Sequence, residues 1–228
     1  CTNLKTVEYA GSQDDWDQVA FDKFRNESLV NAQMHFANLL TADKFSDVFH
    51  NWAYDGINYC YTHRLMRGID GERFAPKATT TRAQIVQILY NLQGEPEVSG
   101  PMPFDDVFNH WAEKPILWAY QTGVVAGTSA TTFVPEAPVT REQFAVLLME
   151  YASRVLKLAR TWTPADLSRF PDNGGVSDWA RDALADAVAL GLIGGAEIDG
   201  TVWLLPQGQA TRAEVAAILH RFAENVAK

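Results

Sequence analysis

Apolar positions recur along the chain in two alternating patterns, each fitting one face of a helix. The first pattern begins just after Trp52, Trp111 and Trp179. It comprises Ala53, Ile57, Cys60 and Tyr61, then Ala112, Ile116, Ala119 and Tyr120, then Ala180, Leu184, Ala187 and Val188. These i, i+4, i+7 and i+8 positions share one side of an α-helix. The second pattern follows Thr81-Arg82, Thr140-Arg141 and Thr211-Arg212. It comprises Ile85, Val86, Ile88, Leu89 and Leu92, then Phe144, Ala145, Leu147, Leu148 and Tyr151, then Val215, Ala216, Ile218, Leu219 and Phe222. The spacing predicts two amphipathic helices per unit in three tandem units, with each Trp in the first turn of its helix. A self-similar unit of this size is one supersecondary element copied, with neighbours burying one another's apolar faces.

Turn-forming residues mark the unit boundaries. Each unit opens with Phe-x-Asp (Phe45 to Asp47, Phe104 to Asp106, Phe170 to Asp172). Gly123 and Gly191 fit a left-handed stop for the first helix. Arg64 takes that place in the first unit, so its helix must end differently or accept strain. Gly68, Gly127 and Gly195 align in the following loop, ahead of Phe74-x-Pro76 and Phe133-x-Pro135. The third unit has Leu204-x-Pro206 and a longer loop carrying Trp203. The repeats span 45–94, 104–153 and 170–224, with Gly94 to Pro103 as a linker and the second unit's last helix running to about Arg160. Residues 1–44 are no fourth copy. Trp16 to Leu40 reads mostly helical, and 28–40 is expected to cap an open repeat end.

With 228 residues and 47% apolar content the chain can bury a full core. No apolar run reaches the roughly 18 residues of a membrane span, and no secretory h-region is present. A net charge of −9 without a Lys/Arg cluster makes nucleic acid and anionic membrane poor partners. Cys1 is read either as a lipid-modified cysteine or as a sequence boundary, the second being favoured. Cys60, opposite Ala119 and Ala187, is expected to be a small core residue.

Thr81 to Gln84, Thr140 to Gln143 and Thr211 to Glu214 are each T-x-x-E/Q before an apolar run, which is the capping box. The box explains Thr and Gln/Glu but not the arginine. A cation at the first helical position opposes the helix dipole by about 0.3–1 kcal/mol, so an anion is expected nearby. It is either internal, the Phe-x-Asp carboxylate of the same or a neighbouring unit, or external, a ligand carboxylate or phosphate held by the guanidinium and free helix amides. Spacing favours the internal pair for the arginines, and composition favours core anchoring over a sugar platform for the tryptophans.

The second unit's order, Phe-x-Asp, Trp-Ala, Gly-Val-Val-Ala-Gly, Phe-x-Pro and Val-Thr-Arg-Glu-Gln, closely resembles the S-layer homology (SLH) domain. The flanking units resemble it with the departures noted. The resemblance implies an all-α fold of three repeats in a pseudo-threefold spindle, with the N-terminal extension outside it. It implies non-covalent, non-catalytic anchoring of an exported protein to the bacterial cell wall or S-layer. The implied ligand is an anionic secondary cell wall polysaccharide, often pyruvylated, bound in grooves between repeats. Arg82, Arg141 and Arg212 would clamp the anion, and Asp47, Asp106 and Asp172 would orient them or bind sugar. Trp52, Trp111 and Trp179 would wall the grooves, while Gly68, Gly127 and Gly195 would allow backbone approach. The resemblance implies no cofactor and admits other surface-layer proteins as partners. The departures favour the groove of Arg141, make Arg64 a block or a second cation, and leave the third unit's pocket least defined.

Rival readings have less to rest on. No nucleophile elbow, phosphate loop or HExxH motif occurs, and adjacent carboxylates such as Asp14/Asp15 and Asp105/Asp106 normally decorate a solvated surface. His50, Cys60 and His63 lie close in sequence, but the other units lack them and zinc wants four placed ligands. A protein-interaction or self-assembly scaffold at the cell surface, using exposed residues such as Trp162 or Trp203, is the stronger alternative.

Overall fold

The computed structural model describes residues 6–9, 33–36 and 42–226, and the chain divides into two compact units, 1–41 and 42–228. In the first unit β1 (Thr6–Tyr9) and β2 (Gln33–Phe36) pair in parallel, Thr6 opposite Gln33 and Tyr9 opposite Phe36. The helix expected over 28–40 is therefore not present at 33–36. Gln-Met-His-Phe alternates polar and apolar residues, a period of two that suits a strand. The rest of that expected helix lies outside the described residues.

Six α-helices, two per repeat, are present among the described residues of the second unit. They are α1 (Tyr54–Thr62), α2 (Arg82–Leu92), α3 (Glu113–Gln121), α4 (Arg141–Arg154), α5 (Arg181–Ala189) and α6 (Arg212–Asn225). No helix among these residues is long and apolar enough to cross a membrane. The expected apolar faces are buried, apart from Tyr61 and Leu92, which are half-buried against the core, and Tyr120, which stays exposed with its ring edge-on to Phe104 at 5.3 Å. All three capping boxes are complete, each Thr accepting from the N3 amide and each Gln or Glu accepting from the N-cap amide. Gly123 (φ 79°) and Gly191 (φ 71°) end α3 and α5 in the left-handed region, and Arg64 (φ 59°) adopts the same conformation at a steric cost.

The three repeats close into a ring. Helix α2 packs on α3, α4 on α5, and α6 returns to α1. At that return Gly56 lies so close to α6 that a Cβ would stand 2.7 Å from the Ala217 Cα. On the pseudo-threefold axis the residues before each N-cap bond in a circle. Thr80 N donates to Ala210 O (3.0 Å), Val139 N to Thr80 O (3.0 Å) and Ala210 N to Val139 O (2.8 Å). The expectation of an open repeat end is thereby corrected, because α6 already fills the place a cap would take beside α1. Burial of the apolar faces drives this closure.

Two local departures have clear causes. Helix α4 stops at Arg154, not Arg160. Leu156 N turns back to Tyr151 O (3.2 Å) and Lys157 goes left-handed (φ 57°), letting Leu156 and Leu158 pack on the core. The third unit's longer loop is a hairpin, β3 (Ala196–Ile198) with β4 (Thr201–Trp203). Asp199 (φ 50°) and Gly200 (φ 74°) supply the two positive φ angles of a type I′ turn.

Candidate functional site

Each Thr-Arg arginine is the first residue of its helix, and its side chain crosses to the next repeat of the ring. Arg82 donates from Nε to Phe133 O (2.9 Å) and from Nη2 to Ala126 O (3.1 Å). Arg212 donates from Nε to Phe74 O (2.8 Å) and from Nη2 to Arg67 O (2.5 Å). Each guanidinium also lies over the ring of the phenylalanine whose carbonyl it binds, Arg82 over Phe133 and Arg212 over Phe74, both 4.4 Å from the centroid. Burial pulls the pKa of each below the ordinary guanidinium value, with Asp106 and Asp47 respectively opposing it. Arg141 donates from Nε to Leu204 O (3.0 Å), but Leu204 offers no ring, and its Nη1 instead forms an ion pair with Glu214.

The Phe-x-Asp carboxylates are not in contact with the arginines. Asp47 accepts from Phe74 N (2.8 Å) and Ala75 N (2.7 Å), Asp106 from Phe133 N (2.9 Å) and Val134 N (2.7 Å), and Asp172 from Leu204 N (2.9 Å) and Leu205 N (2.7 Å). Each thereby pins a residue with left-handed φ, namely Ala75 (59°), Val134 (58°) or Leu205 (53°). Aspartate and arginine grip opposite edges of one turn, the aspartate its amides and the arginine its carbonyl. Burial pushes the Asp106 carboxyl up, but the Phe133 and Val134 amides, its own amide and Arg82 outweigh that and leave its pKa lowered. The direct internal ion pair expected with Phe-x-Asp is therefore replaced by coupling through a peptide.

The helix amides expected to help hold a ligand are also committed. The first two amides of α2 donate to Ala137 O (2.9 Å) and Pro135 O (2.9 Å), those of α4 to Gly208 O (2.8 Å) and Pro206 O (3.1 Å), and those of α6 to Ala78 O (2.8 Å) and Pro76 O (3.0 Å). The third is taken by the capping threonine. Docking of the next repeat consumes the anion-binding capacity of the helix start, leaving the spare N–H groups of the arginine side chains. Gly68, Gly127 and Gly195 meet their own loop and Phe45, Phe104 and Phe170, with a Cβ at Gly127 falling 2.3 Å from Ser129 O. Their lack of a side chain is needed for the loop itself.

Trp52, Trp111 and Trp179 are 67%, 58% and 59% exposed, each in the turn two residues before its helix. The core-anchor expectation is corrected here, and the buried anchors of that segment are Ala53, Ala112 and Ala180. Each groove is built from three successive repeats. A cavity of about 520 Å³ joins Arg212, the Gly68 loop, Gln84 and Trp111. One of about 410 Å³ joins Arg141, the Gly195 loop, Glu214 and Trp52. By the same rotation Arg82, Gly127, Gln143 and Trp179 are the corresponding set.

Comparison with known proteins agrees with this architecture. The S-layer homology domain family matches residues 44–86, 103–145 and 169–216, more than half of the chain. The chain belongs to the S-layer homology domain family. Among its relatives, a surface-layer 125 kDa protein of Lysinibacillus sphaericus is 33% identical over 163 residues, 71% of this chain and 13% of that protein. Exoglucanase XynX of Acetivibrio thermocellus is 29% identical over 202 residues, 83% of this chain and 18% of the relative. A cellulosome-anchoring protein of the same species is 28% identical over 166 residues, 70% of this chain and 35% of its own. The chain thus spans a minor part of these relatives. Its membership makes it an extracellular, cell-wall-associated module of the anchoring class.

Within the S-layer homology units the position that sequence reasoning undervalued is the last residue of the capping box. Gln84 puts a neutral amide in the cavity of Arg212, the arginine of the preceding unit in the ring, whereas Glu214 puts a carboxylate beside Arg141. The residue difference is visible in the sequence, but a capping box reads as internal to its own unit, and only ring closure brings Glu214 to Arg141. Other candidates disperse. Cys60 is in the core, its thiol pushed up to about 12 by burial, while His63 is exposed with Nδ1 at 2.9 Å from Tyr59 O. Trp162 and Trp203 are half-buried, not exposed. Asp14 and Asp15 lie outside the described residues, and Asp105 and Asp106 differ in role, only Asp106 binding the turn. Arg64 is exposed and is absent from the cavity of Arg212, so it does not block that groove.

Proposed function

We propose that the chain is a non-catalytic wall anchor whose inter-repeat grooves bind an anionic, carboxylate-bearing secondary cell wall polysaccharide. One observation carries the reading: Arg82 and Arg212 are desolvated, bonded only to neutral carbonyls, and touch no carboxylate among the described residues. Each guanidinium has five N–H donors and spends two on carbonyls, so up to three remain for a ligand. An exposed Trp stands at the other side of the Arg212 cavity, suited to the apolar face of a sugar ring. A pyruvyl ketal is the kind of compact carboxylate that would fit a bidentate guanidinium.

This ranks the grooves of Arg212 and Arg82 ahead of that of Arg141, whose charge Glu214 already balances. Asp47, Asp106 and Asp172 act as supports for the groove wall. Several modest sites on one polymer add by avidity, because a second engagement is effectively intramolecular. The relatives named for surface layers and cellulosome anchoring support a role at the wall. Sedimentation with purified cell walls, before and after removal of the secondary polysaccharide, tests the proposal. Co-sedimentation that disappears with the polymer is the expected outcome, and binding that survives its removal contradicts it. A scaffold reading is favoured only by Phe49 and Phe108, 76% and 77% exposed in the turn before Trp52 and Trp111. Surviving binding would turn attention to those residues as a protein-docking surface.

A further inference from the structure

We infer that Glu214 sets the ligand charge of its groove, so that the Arg141 cavity takes an uncharged stretch of polymer while the Arg212 cavity takes a carboxylate. The inference rests on the polysaccharide reading above and specifies which groove holds which part of the chain of sugars.

The contrast lies in one side-chain atom. In α2 the Gln84 Oε1 accepts from Thr81 N (3.1 Å), which leaves its Nε2 as a donor in the cavity that Arg212 also lines. An incoming anion there meets donors from both side chains. In α6 the Glu214 Oε2 accepts from Thr211 N and Thr211 Oγ1, each at 2.8 Å, and its Oε1 holds Arg141. The same place therefore presents an acceptor already paired with the cation. The side chains of Arg141 and Glu214 are 7% and 21% exposed, so the pair sits in the cavity wall where screening by water is weak.

A carboxylate approaching Arg141 would face Glu214, and displacing Glu214 would break the cap of α6. The remaining charged groups of this cavity are Arg221 and Glu197, which balance each other. In the Arg212 cavity they are Arg67 and Glu95, so the charge of Arg212 is left over. Leu204 completes the contrast, since Arg141 meets it where Arg82 and Arg212 each meet a phenylalanine ring.

The test uses two probes that differ by one methyl group and the charge it removes, a methyl hexopyranoside carrying a 4,6-pyruvyl ketal and the methyl ester of that ketal. NMR titration follows the Trp111 indole N–H and Gly68 amide for one groove, and the Trp52 indole N–H and Gly195 amide for the other. In the native chain the acid is expected to shift the Trp111 and Gly68 signals, with Trp52 and Gly195 binding it roughly tenfold more weakly or not at all. Glu214→Gln, which restores the capping pair found at Gln84 and Gln143, should bring the Trp52 groove to within about threefold of the other for the acid, with a smaller change for the ester. Equal acid binding by both grooves in the native chain overturns the inference. So does a Glu214→Gln variant that keeps its melting temperature yet gains no affinity for the acid. If neither probe shifts any groove signal, the polysaccharide reading itself fails, and this inference with it.

Discussion

Arg64, Thr80 and Asp106 each carry a cost or a gain that a single substitution can isolate. Arg64 holds φ 59° where the sister units have glycine. Arg64→Gly should raise stability by about 1 kcal/mol, read as a higher denaturation midpoint at constant slope. Thr80 is fully buried on the axis with its hydroxyl unpartnered, and Val139 occupies the equivalent place. Thr80→Val should therefore stabilise by about 1 kcal/mol, since it removes an unsatisfied oxygen without changing volume much. Its melting temperature should rise. Asp106 titrates below its ordinary value of 3.8 in the folded chain. Its contribution is then fully present above that value and lost as pH falls through the lower, folded one. Acid unfolding should accordingly be less steep in Asp106→Asn than in the native chain, a comparison made by circular dichroism between neutral pH and pH 2.

At the scale of elements, periodicity and caps were legible because both are local. The six helices, their buried faces, the three capping boxes and the strain at Arg64 all follow from residues within a turn or two of one another. What was not legible depended on partners far away in sequence. The end of α4 is set by Leu156 and Leu158 packing on the core, and a helical pattern alone cannot show that the chain will turn back. The β3–β4 hairpin had a usable signal in Asp199-Gly200, obscured by treating the segment only as a lengthened loop. The strand at 33–36 was hidden by its helical-looking surroundings. Gly56 tests the packing of elements: Gly56→Val should destabilise by at least about 2 kcal/mol, because backbone of α6 blocks the new side chain and the ring cannot close without shifting. A variant as stable as the native chain in thermal melting would contradict the close α1–α6 contact.

At the scale of the molecule, the chain is built from sequence units but its grooves belong to none of them. Arg212, Gly68 and Trp111 come from the third, first and second repeats. The residue types of the site were readable from the sequence, while their grouping required the ring to close. Leu204 leaves the pocket of its own repeat least defined in the sequence, yet the arginine that meets it is Arg141 from the repeat before. The close sequence match of the second repeat likewise favours the Arg141 groove, but the charge that distinguishes that groove comes from Glu214 on another helix. The most direct measurement is wall sedimentation of Arg212→Gln, a change that keeps a donor for Phe74 O while removing the charge. With helicity and melting temperature near native, affinity for intact walls should fall roughly tenfold, about 1.4 kcal/mol. Sedimentation equal to that of the native chain would contradict the assignment of Arg212 as an anion clamp.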